Sequence, residues 1–334
     1  MSTDERYSRQ IRFSPIGVAG QQRIAAATVL VVGCGALGTA ILDQLVRAGV
    51  GTVRLVDRDF VEASNLQRQS LFDEADAAAC TPKAIAAASR LARINSFVRL
   101  QPEVVDVTAR TITRLVAGVD VVLDGTDNFR TRHLINEACV RSGIPWIYGA
   151  CVGAYGLSLA IRPGVSPCLA CLQDQLPGPG ETPTCDTVGV VAPIVQQVAA
   201  WQVADALRIL TGRAPRAELW TCDLWADTFQ RVAVTSWRDP ACSVCGPTPS
   251  YPLLSAPTEV AVTLCGRDSV QIVGPAVDLG ALAARLPECL AVNDYLIRWR
   301  DGERLITAFR DGRILVQGVA DGAAARAVID RWLG

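Results

Sequence analysis

TVLVVGCGALGTAILDQLVRAGVGTVRLVD, residues 28–57, is the stretch that decides the fold. It starts with the apolar run Thr28–Val32, which is typical of a buried parallel strand. Apolar residues then recur every four positions from Leu37 to Leu45, as they do along one face of a helix. A second apolar run, Val53–Asp57, ends in an acidic residue. The pattern predicts a complete strand–helix–strand unit.

A glycine fingerprint, Gly33, Gly35 and Gly38, joins the first strand of this unit to its helix. Such glycines allow a tight turn and a close approach of the backbone to a phosphate, and the helix N-terminus offers free N–H groups. Asp57 ends the next strand, where an acid would hold a ribose hydroxyl. We therefore predict nucleotide binding rather than a purely structural turn, although this motif does not separate NAD from ATP.

Strands and helices alternate up to about residue 150, which predicts a mostly parallel sheet. The predicted elements are a helix at Pro82–Asn95, a strand at Val119–Asp124, a helix at Thr131–Ser142 and a strand at Pro145–Gly149. An antiparallel extension follows, with strands at Gly156–Arg162, Ala217–Asp223 and Phe229–Thr235, a long helix at Pro193–Leu210, and a mobile loop at Leu172–Gly189.

A Pro-rich segment, Gly246–Pro257, is predicted to be a linker, and we place the two domains at residues 1–250 and 251–334. In the second domain, here called the tail, the predicted strands lie near Val260–Leu264, Ala291–Trp299, Arg304–Phe309 and Ile314–Gly318. The predicted helices lie near Asp278–Leu286 and Ala323–Leu333. The tail carries no convincing catalytic set. We expect it to help choose a protein partner, with dimerisation or stabilisation as open alternatives.

Composition and charge exclude several classes of protein. The 334 residues have a formal net charge of −1 and are 50% hydrophobic, so the chain is globular and lacks the basic stripe of a nucleic-acid binder. No run of residues predicts a transmembrane helix or a membrane surface, and the polar start Met1–Arg6 lacks a signal-peptide core. We expect a cytoplasmic protein, in which twelve cysteines indicate metal binding, catalysis or buried thiols.

Charged residues beyond the ribose position favour ATP over NAD. Asp59 comes two residues after the acid that ends the second strand, and Arg68 and Lys83 follow it. A triphosphate needs several cations and amide donors, which a dinucleotide does not. Asp127, at the end of a later strand, is suited to hold Mg²⁺ at the carboxyl edge of the sheet. Each residue alone would be interpreted as a solvated surface charge, but together they favour ATP.

Two CxxC pairs predict a metal site. Cys168 and Cys171 form the first pair, and Cys242 and Cys245 form the second. Four thiolates complete a tetrahedral zinc site with no open position, so the zinc would be structural rather than catalytic. The expected fold class is therefore α/β: a Rossmann-type, mostly parallel sheet with an antiparallel extension and a four-cysteine zinc site, plus a small C-terminal α+β domain.

Two further residues leave their roles open. Cys185 lies in the predicted mobile loop, unlike a buried structural cysteine, and the residues alone do not decide between a nucleophile and a bystander. His133 is the only histidine and lies on a predicted helix, so we interpret it as structural. With one histidine, a histidine-based catalytic triad is disfavoured.

As an ordered set, these features resemble the MoeB/ThiF family, bacterial relatives of ubiquitin-activating enzymes, over about residues 6–246. The residues that carry the resemblance are RYSRQ at 6–10, the glycine loop, Asp57 with Asp59, SNLQRQ at 64–69, Pro82-Lys83, Thr126-Asp127-Asn128, the two CxxC pairs and the Cys185 loop.

The resemblance implies an enzyme that adenylates the C-terminal Gly-Gly carboxylate of a ubiquitin-like sulfur-carrier protein, priming it for thiocarboxylate formation or conjugation. It implies ATP, Mg²⁺ and Zn²⁺ as cofactors and a homodimer in which Arg9 reaches the neighbouring subunit's ATP. The implied roles are ribose binding for Asp57, phosphate binding for Asn65, Arg68 and Lys83, and Mg²⁺ binding for Asp127. Cys185 matches a loop cysteine that bonds to the carrier in some members.

The nucleotide site implied by the resemblance comprises thirteen positions. They are Gly33, Gly35, Ala36, Gly38, Asp57, Asp59, Ser64, Asn65, Gln67, Arg68, Lys83, Asp127 and Asn128. Ala36 is a departure, because the family usually has glycine there, but alanine costs little if its φ is negative. The tail lacks the features of a rhodanese domain, so we expect another protein to deliver sulfur.

Other functions remain open from the residues. An NAD-dependent oxidoreductase would share the glycine motif, but no hydride-transfer acid–base pair is obvious. A non-catalytic, zinc-stabilised scaffold of the same fold is disfavoured by Arg68, Lys83 and Asp127. Within the family, the substrate could be a peptide or a tRNA base, of which the neutral charge disfavours tRNA.

Overall fold

The computed structural model describes residues 3–174, 176, 185–256, 261–264, 269–286, 288–319 and 321–333. Within these ranges, the side chains of residues 3, 4, 185, 186, 261–264 and 333 are not described. The chain forms two compact units, the first comprising most residues up to Ala256 and the second most of those after it. In the described ranges, no helix is both long and apolar enough to cross a membrane.

The first unit combines a sheet with helices on its two faces. Its helices are α1 (Thr3–Arg6), α2 (Ser8–Arg12), α3 (Gly17–Ala26), α4 (Ala36–Ala48), α5 (Glu74–Ala78), α6 (Lys83–Ile94), α7 (Ala109–Leu115), α8 (Phe129–Ser142), α9 (Leu169–Leu172), α10 (Cys185–Val188), α11 (Ala192–Leu210) and α12 (Pro252–Ser255). Its strands are β1 (Thr28–Val32), β2 (Thr52–Asp57), β3 (Arg99–Val104), β4 (Val121–Asp124), β5 (Trp146–Val152), β6 (Tyr155–Ile161), β7 (Glu218–Asp223) and β8 (Thr228–Ala233).

The sheet of the first unit runs in the order β3-β2-β1-β4-β5-β6-β7-β8. Strands β3 to β5 are parallel, and β5 to β8 pair antiparallel, so the predicted Rossmann-type sheet with an antiparallel extension is confirmed. The strand order reverses between β1 and β4, the point at which open α/β sheets bind ligands beyond their carboxyl ends.

Strand β3 was absent from the predicted elements. It lies at the edge of the sheet, its residues are half-buried or exposed, and it contains Pro102. Proline is tolerated in an edge strand but weakens any sequence signal for one. Its pairing with β2, from Thr52↔Arg99 to Asp57↔Val104, therefore depends on the neighbouring strand.

Two apolar layers hold this sheet. On one face, Ile41 and Leu45 of α4 pack in the same cluster as Val198 of α11. On the other face, Ile112 of α7 and Ile135 of α8 belong to a second cluster. Because side chains alternate along each strand, the buried runs of β1 and β4 contribute to both layers.

The second unit is an antiparallel sheet with two helices. Its strands are β9 (Ala261–Leu264), β10 (Ser269–Val273), β11 (Ala291–Val292), β12 (Leu296–Asp301), β13 (Arg304–Phe309) and β14 (Arg313–Gln317), in the order β11-β12-β13-β14-β10-β9. Its helices are α13 (Leu279–Arg285) and α14 (Gly322–Leu333). Leu282 and Val328 of the helices pack with Trp299 and Val316 of the strands in one apolar cluster.

Three predictions for the last part of the chain were wrong in detail. Strand β10 was missed, because its partner β14 is distant in sequence. The single predicted strand at Ala291–Trp299 is two strands, since Asn293 Oδ1 accepts hydrogen bonds from Tyr295 N (2.9 Å) and Leu296 N (3.0 Å) and turns the chain. Part of the predicted linker is helix α12, held by Glu137.

Candidate active site and metal centre

Three glycines bring the ends of β1, α4 and β4 together. Gly33 has a φ of +91°, and a Cβ on it would lie 2.6 Å from Gly125 O. A Cβ on Gly38 would overlap Gly33 O, and one on Gly125 would lie 2.7 Å from both Gly33 O and Gly38 Cα. Glycine at these positions is therefore required by packing and, at Gly33, by the positive φ.

Gly35 is different, because the surrounding residues leave room for a side chain at this position. A Cβ there would meet no heavy atom within 4 Å. Helix α4 begins at the next residue, Ala36, with Gly35 as its N-cap and no side-chain capping hydrogen bond. Because residue 35 has no side chain, the space in front of the first amides of α4 stays open. Open space at a helix N-terminus fits the binding of a phosphate.

Asp57 closes the glycine loop from the end of β2. Its Oδ2 accepts a hydrogen bond from Cys34 N (2.6 Å) and its Oδ1 accepts one from Asp59 N (2.7 Å). Burial raises the pKa of the Asp57 carboxyl, and the Lys83 ammonium opposes the rise. Each carboxylate oxygen keeps a further lone pair, so the group can still accept hydrogen bonds from a ribose.

Lys83 lies at the start of α6, beside the end of β2. Its Nζ is 3.7 Å from Asp59 Oδ2, and its backbone N donates to Asp59 O at 2.9 Å. Phe60 and Pro82 form an isolated bridge that holds the two segments together. The structure therefore brings Lys83, Asp57 and Asp59 to one edge of the sheet, as the sequence suggested.

The segment at residues 63–68 carries four of the expected nucleotide ligands. Asn65 is buried, and its Oδ1 accepts a hydrogen bond from Glu62 N at 3.1 Å. Arg68 is half-buried and donates from Nη1 to Ser64 O at 2.8 Å, whereas Ser64 and Gln67 are exposed. Asn65 thus has a structural role in this turn as well, and nucleotide binding by these residues stays a prediction.

Asp127 and Asn128 lie in the loop after β4, and both are exposed. Asn128 Oδ1 accepts a hydrogen bond from Thr131 N (3.0 Å), so this residue is the N-cap of α8. Its capping role was not anticipated. Because β4 neighbours β1, the loop places Asp127 at the same edge of the sheet as the glycine loop.

Asp127 interacts electrostatically with Arg58, the residue that follows Asp57 in sequence. Burial lowers the pKa of Arg58, but Asp59, Asp106 and Asp127 together raise it above its ordinary value. The Nη1 of Arg58 is 3.2 Å from Asp106 Oδ1. Arginine and aspartate side chains therefore lie close together at this edge of the candidate site.

Arg9 is not near the glycine loop of the same chain. It is exposed on α2, and the adjacent Gln10 donates from Nε2 to Ala48 O (2.9 Å) at the last residue of α4. The glycine loop lies at the first residue of α4, which has 13 residues and is therefore about 20 Å long. The structure separates Arg9 from the other predicted site residues.

The Cys185 side chain lies outside the described residues. The backbone places Cys185 at the first position of α10, a short helix that the predicted loop Leu172–Gly189 did not include. This helix is followed by a bridge in which Gly153 N donates to Gly189 O at 2.8 Å.

The four cysteines of the CxxC pairs form one cluster, as predicted. Their Sγ atoms all lie within 4.8 Å of one another. The Sγ distances are 4.0 Å for Cys168–Cys171, 3.7 Å for Cys168–Cys242 and 3.3 Å for Cys171–Cys245. Zinc bound at about 2.3 Å would place tetrahedral sulfurs about 3.8 Å apart, so the cluster fits this ion.

Backbone amides surround the cluster. Val244 N and Cys245 N lie 3.4 and 3.5 Å from Cys242 Sγ, and Asp239 N lies 3.5 Å from Cys171 Sγ. Donors of this kind stabilise thiolate ligands and set their orientation.

Three polar residues near the carboxyl edge of the sheet were not predicted from the sequence. Asp124 and Arg132 form a buried ion pair, with Asp124 Oδ2 at 3.1 Å from Arg132 Nε. Gln202 of α11 is also fully buried and reaches the end of β4. The sequence signal that could have identified them is a charged or amide residue in an otherwise apolar segment. Such a residue is expected to have a polar partner, because an unpaired polar group is costly to bury.

Comparisons with known proteins identify the relatives of this chain. The ThiF family sequence model matches residues 7–244. A sulfur carrier protein ThiS adenylyltransferase of Bacillus subtilis is 46% identical over 98% of this chain and 99% of its own length. One of Escherichia coli is 37% identical over 74% of this chain and 97% of its own length.

Solved structures share the architecture. The chain superposes on E. coli MccB in complex with MccA-N7isoASN with a TM-score of 0.64, at 25% identity, over 74% of this chain and 75% of that one. Because 74% of this chain accounts for nearly all of the E. coli ThiS adenylyltransferase, that relative has little sequence left to correspond to the second unit.

Proposed function

This chain belongs to the ThiF family, and we propose that it catalyses the ATP-dependent adenylation of the C-terminal Gly-Gly carboxylate of a ubiquitin-like sulfur-carrier protein. The observation that carries the proposal is the similarity, along nearly the whole chain, to a ThiS adenylyltransferase. The open backbone at Gly35, beside Lys83 and the Asp127 loop, supports the use of a triphosphate.

The reaction joins the carrier to AMP. A carboxylate oxygen of the carrier tail attacks the α-phosphorus of ATP, and the bond to pyrophosphate breaks. The attacking carboxylate is already ionised at neutral pH, so no general base is needed. Catalysis therefore depends on positioning and on screening the negative charges that repel each other.

The positions of individual residues support the roles that we propose for them. The first amides of α4 bind phosphate oxygens beside Gly35, Asp57 holds the ribose, and Lys83 and Arg68 screen the phosphates. Asp127 is the proposed magnesium ligand, and a magnesium ion there would neutralise part of the triphosphate charge.

Zinc is the proposed occupant of the cysteine cluster. The donors are four thiols in tetrahedral proximity, a set that soft thiolate chemistry reserves for zinc or iron–sulfur centres. All four positions are taken, so the ion would hold α9 to the segment before α12 and take no part in adenylation. Sulfur itself would come from a separate donor protein, with Cys185 as the candidate covalent link to the carrier.

ATP–pyrophosphate exchange tests the main proposal. Incubated with a small Gly-Gly-ending protein, the enzyme should return radiolabel from pyrophosphate to ATP only when the carrier is present. A carrier that lacks its two final glycines should give no exchange. Binding of NAD, together with no pyrophosphate exchange in the presence of any Gly-Gly-ending carrier, would contradict the proposed function.

The active form is proposed to be a homodimer that shares its sites. Arg9 lies near the far end of α4 from its own glycine loop, so it is better placed to reach a neighbouring subunit. Two exposed apolar side chains follow it, Phe13 just after α2 (60% exposed) and Val18 in α3 (59% exposed), which suits a surface covered by a second copy.

Mixing two inactive variants tests the shared site. Arg9→Ala and Asp127→Ala should each be inactive alone, because each spoils every site. After subunit exchange, half of the dimers are mixed and each holds one intact site, so about a quarter of wild-type exchange activity should return. Pyrophosphate exchange after mixing measures this. Full subunit exchange, verified with tagged subunits, without any recovery would show that Arg9 acts within its own subunit.

The carrier is proposed to dock on an exposed apolar surface beside α10, here called the Trp225 surface. Its members are Tyr155, Val188, Val191, Leu224 and Trp225, each between 36% and 85% exposed. Leu224 N donates to Ala154 O, and Gly189 and Val191 pair with Gly153, so the three segments meet. A two-glycine tail has too little area for affinity, so a further apolar contact is required.

Replacing Trp225 with alanine should raise the carrier KM about 10-fold while leaving the KM for ATP unchanged, since exposed tryptophans often dominate binding energy. The matched control is Trp237→Ala, a tryptophan that is also exposed but lies beyond the opposite end of β8. Steady-state exchange rates, measured at several carrier concentrations and at several ATP concentrations, give the KM for each substrate. Equal carrier KM values for the two variants would place the docking surface elsewhere.

A further inference from the structure

The sheet opens between β4 and β5 at its carboxyl edge. The two strands pair in register only at Val122↔Trp146 and Leu123↔Ile147. The carbonyls of Asp124 and Ile147 lie where this pairing ends. Both accept a hydrogen bond from Nε2 of Gln202, each at 2.9 Å. The amide of one buried side chain thus ties the end of β4 to β5.

The space for this amide comes from Gly149. A Cβ at Gly149 would lie 2.5 Å from both Cδ and Oε1 of Gln202. In the described part of the chain, Oε1 of Gln202 accepts no hydrogen bond. Rotating the amide would turn that oxygen toward two carbonyls, which repel it, so the side chain has a single acceptable orientation. A buried amide oxygen without a hydrogen-bond partner costs free energy. Here the two hydrogen bonds that Nε2 donates offset that cost.

The same strand end is held from the opposite side. Gly125 N donates to Val32 O of β1 at 2.8 Å, and Gly125 packs directly on Gly33 and Gly38. The last residues of β4 are therefore fixed between the glycine loop and Gln202.

The turn that follows is held by the Asp124 carboxylate. Its Oδ1 accepts from Thr126 N at 2.8 Å and from Thr126 Oγ1 at 2.7 Å. Its Oδ2 accepts from Arg132 Nε at 3.1 Å, and Arg132 Nη2 donates to Thr126 O at 2.7 Å. Arg132 is itself fixed against the rings of Phe129 and Tyr148.

We propose that Gln202 and Arg132 are positioning residues that hold the backbone just before Asp127, so that its carboxylate is preset for the metal–nucleotide complex. This inference rests on the proposed function, in which Asp127 binds magnesium. Magnesium demands near-octahedral geometry at short distances, so a loosely held ligand loop would bind it poorly. Displacement of a catalytic group by about 1 Å can cost about 100-fold in rate.

The experiment removes the two donors of Gln202 without changing its size. Gln202→Met should bind Mn²⁺ in the presence of ATP about 10-fold more weakly, measured by electron paramagnetic resonance. Binding of ATP in chelator should stay within about two-fold of wild type, since the other phosphate and ribose contacts remain. Exchange activity should require about 10-fold more Mg²⁺ for half its maximum. Gln44→Met, which removes a similar amide-to-carbonyl bond in α4, should behave as wild type in all three measurements.

A second pair of variants covers the case in which Gln202→Met does not fold. Thr126→Val loses the hydroxyl that binds Asp124 and should show the same weakening of Mn²⁺ binding, while Thr126→Ser, which keeps the hydroxyl, should show a smaller one. Conservative rescue of this kind separates positioning from simple packing.

The outcomes distinguish the two proposals. Wild-type protein that binds Mn²⁺ and ATP but never exchanges pyrophosphate with a carrier would overturn the proposed function. Variants at Gln202 and Thr126 that melt earlier but keep wild-type metal affinity would show that these residues only stabilise the fold, and would overturn the positioning inference.

Discussion

Replacing Asp127 with alanine should abolish ATP–pyrophosphate exchange, with a loss of at least about 100-fold, while the protein stays folded. The side chain is exposed in the loop after β4, so its removal creates no cavity and leaves the buried Asp124–Arg132 pair intact. What is lost is the proposed ligand that brings a divalent cation to the triphosphate. Exchange rates measured at several Mg²⁺ concentrations, together with a melting curve, test both parts.

The control for this variant is Asp294→Ala, which removes an exposed carboxylate of the second unit and should leave exchange unchanged. Wild-type exchange by the Asp127 variant at saturating Mg²⁺ would show that the metal is held by other residues. The proposed function would survive that result, but the assignment of Asp127 would not.

Removing one cysteine of the cluster should remove the metal and destabilise the first unit. Cys242→Ser takes away a buried thiol that lies 3.7 Å from Cys168 Sγ, and an incomplete site binds zinc far less tightly. Structural zinc contributes its binding energy to folding, so we expect the melting temperature to fall by at least roughly 10 °C. Metal analysis of the purified protein should give one zinc per wild-type chain and none per variant chain.

Cys222→Ser is the matched control, because Cys222 is also buried but lies in β7 outside the cluster. It should keep its zinc and lose only the modest stability that a buried hydroxyl costs. Zinc content that is equal in the two variants would contradict the assignment of the four thiols.

Features that depend on neighbours in sequence could be predicted without a structure. The strand–turn–helix at residues 28–57 was predicted because apolar periodicity and glycine placement act over a few residues. The cysteine cluster was predicted because each CxxC pair already holds two thiols at a ligand spacing, so only their meeting needed the fold. The expected grouping of Asp57, Asp59 and Lys83 at one edge follows from the rule that parallel strands share a carboxyl end.

Other features were decided only by contacts between distant parts of the chain. Strand β10 exists because β14 pairs with it, and α12 forms where the Glu137 carboxylate accepts its first amides. The bond from Gln202 to the end of β4 joins residues 78 positions apart, and no local pattern encodes such a pairing.

The sequence by itself determined the glycine loop, the set of four clustered cysteines and the family of this protein, because short-range spacing and residue type suffice for each. Only the tertiary structure decided that Gly35 faces open space while Gly33 and Gly38 are packed, and that Arg9 lies a helix length from its own loop. Glycines look alike in a sequence, and a distance across a helix or a sheet depends on how the elements pack. That packing is a property of the whole chain.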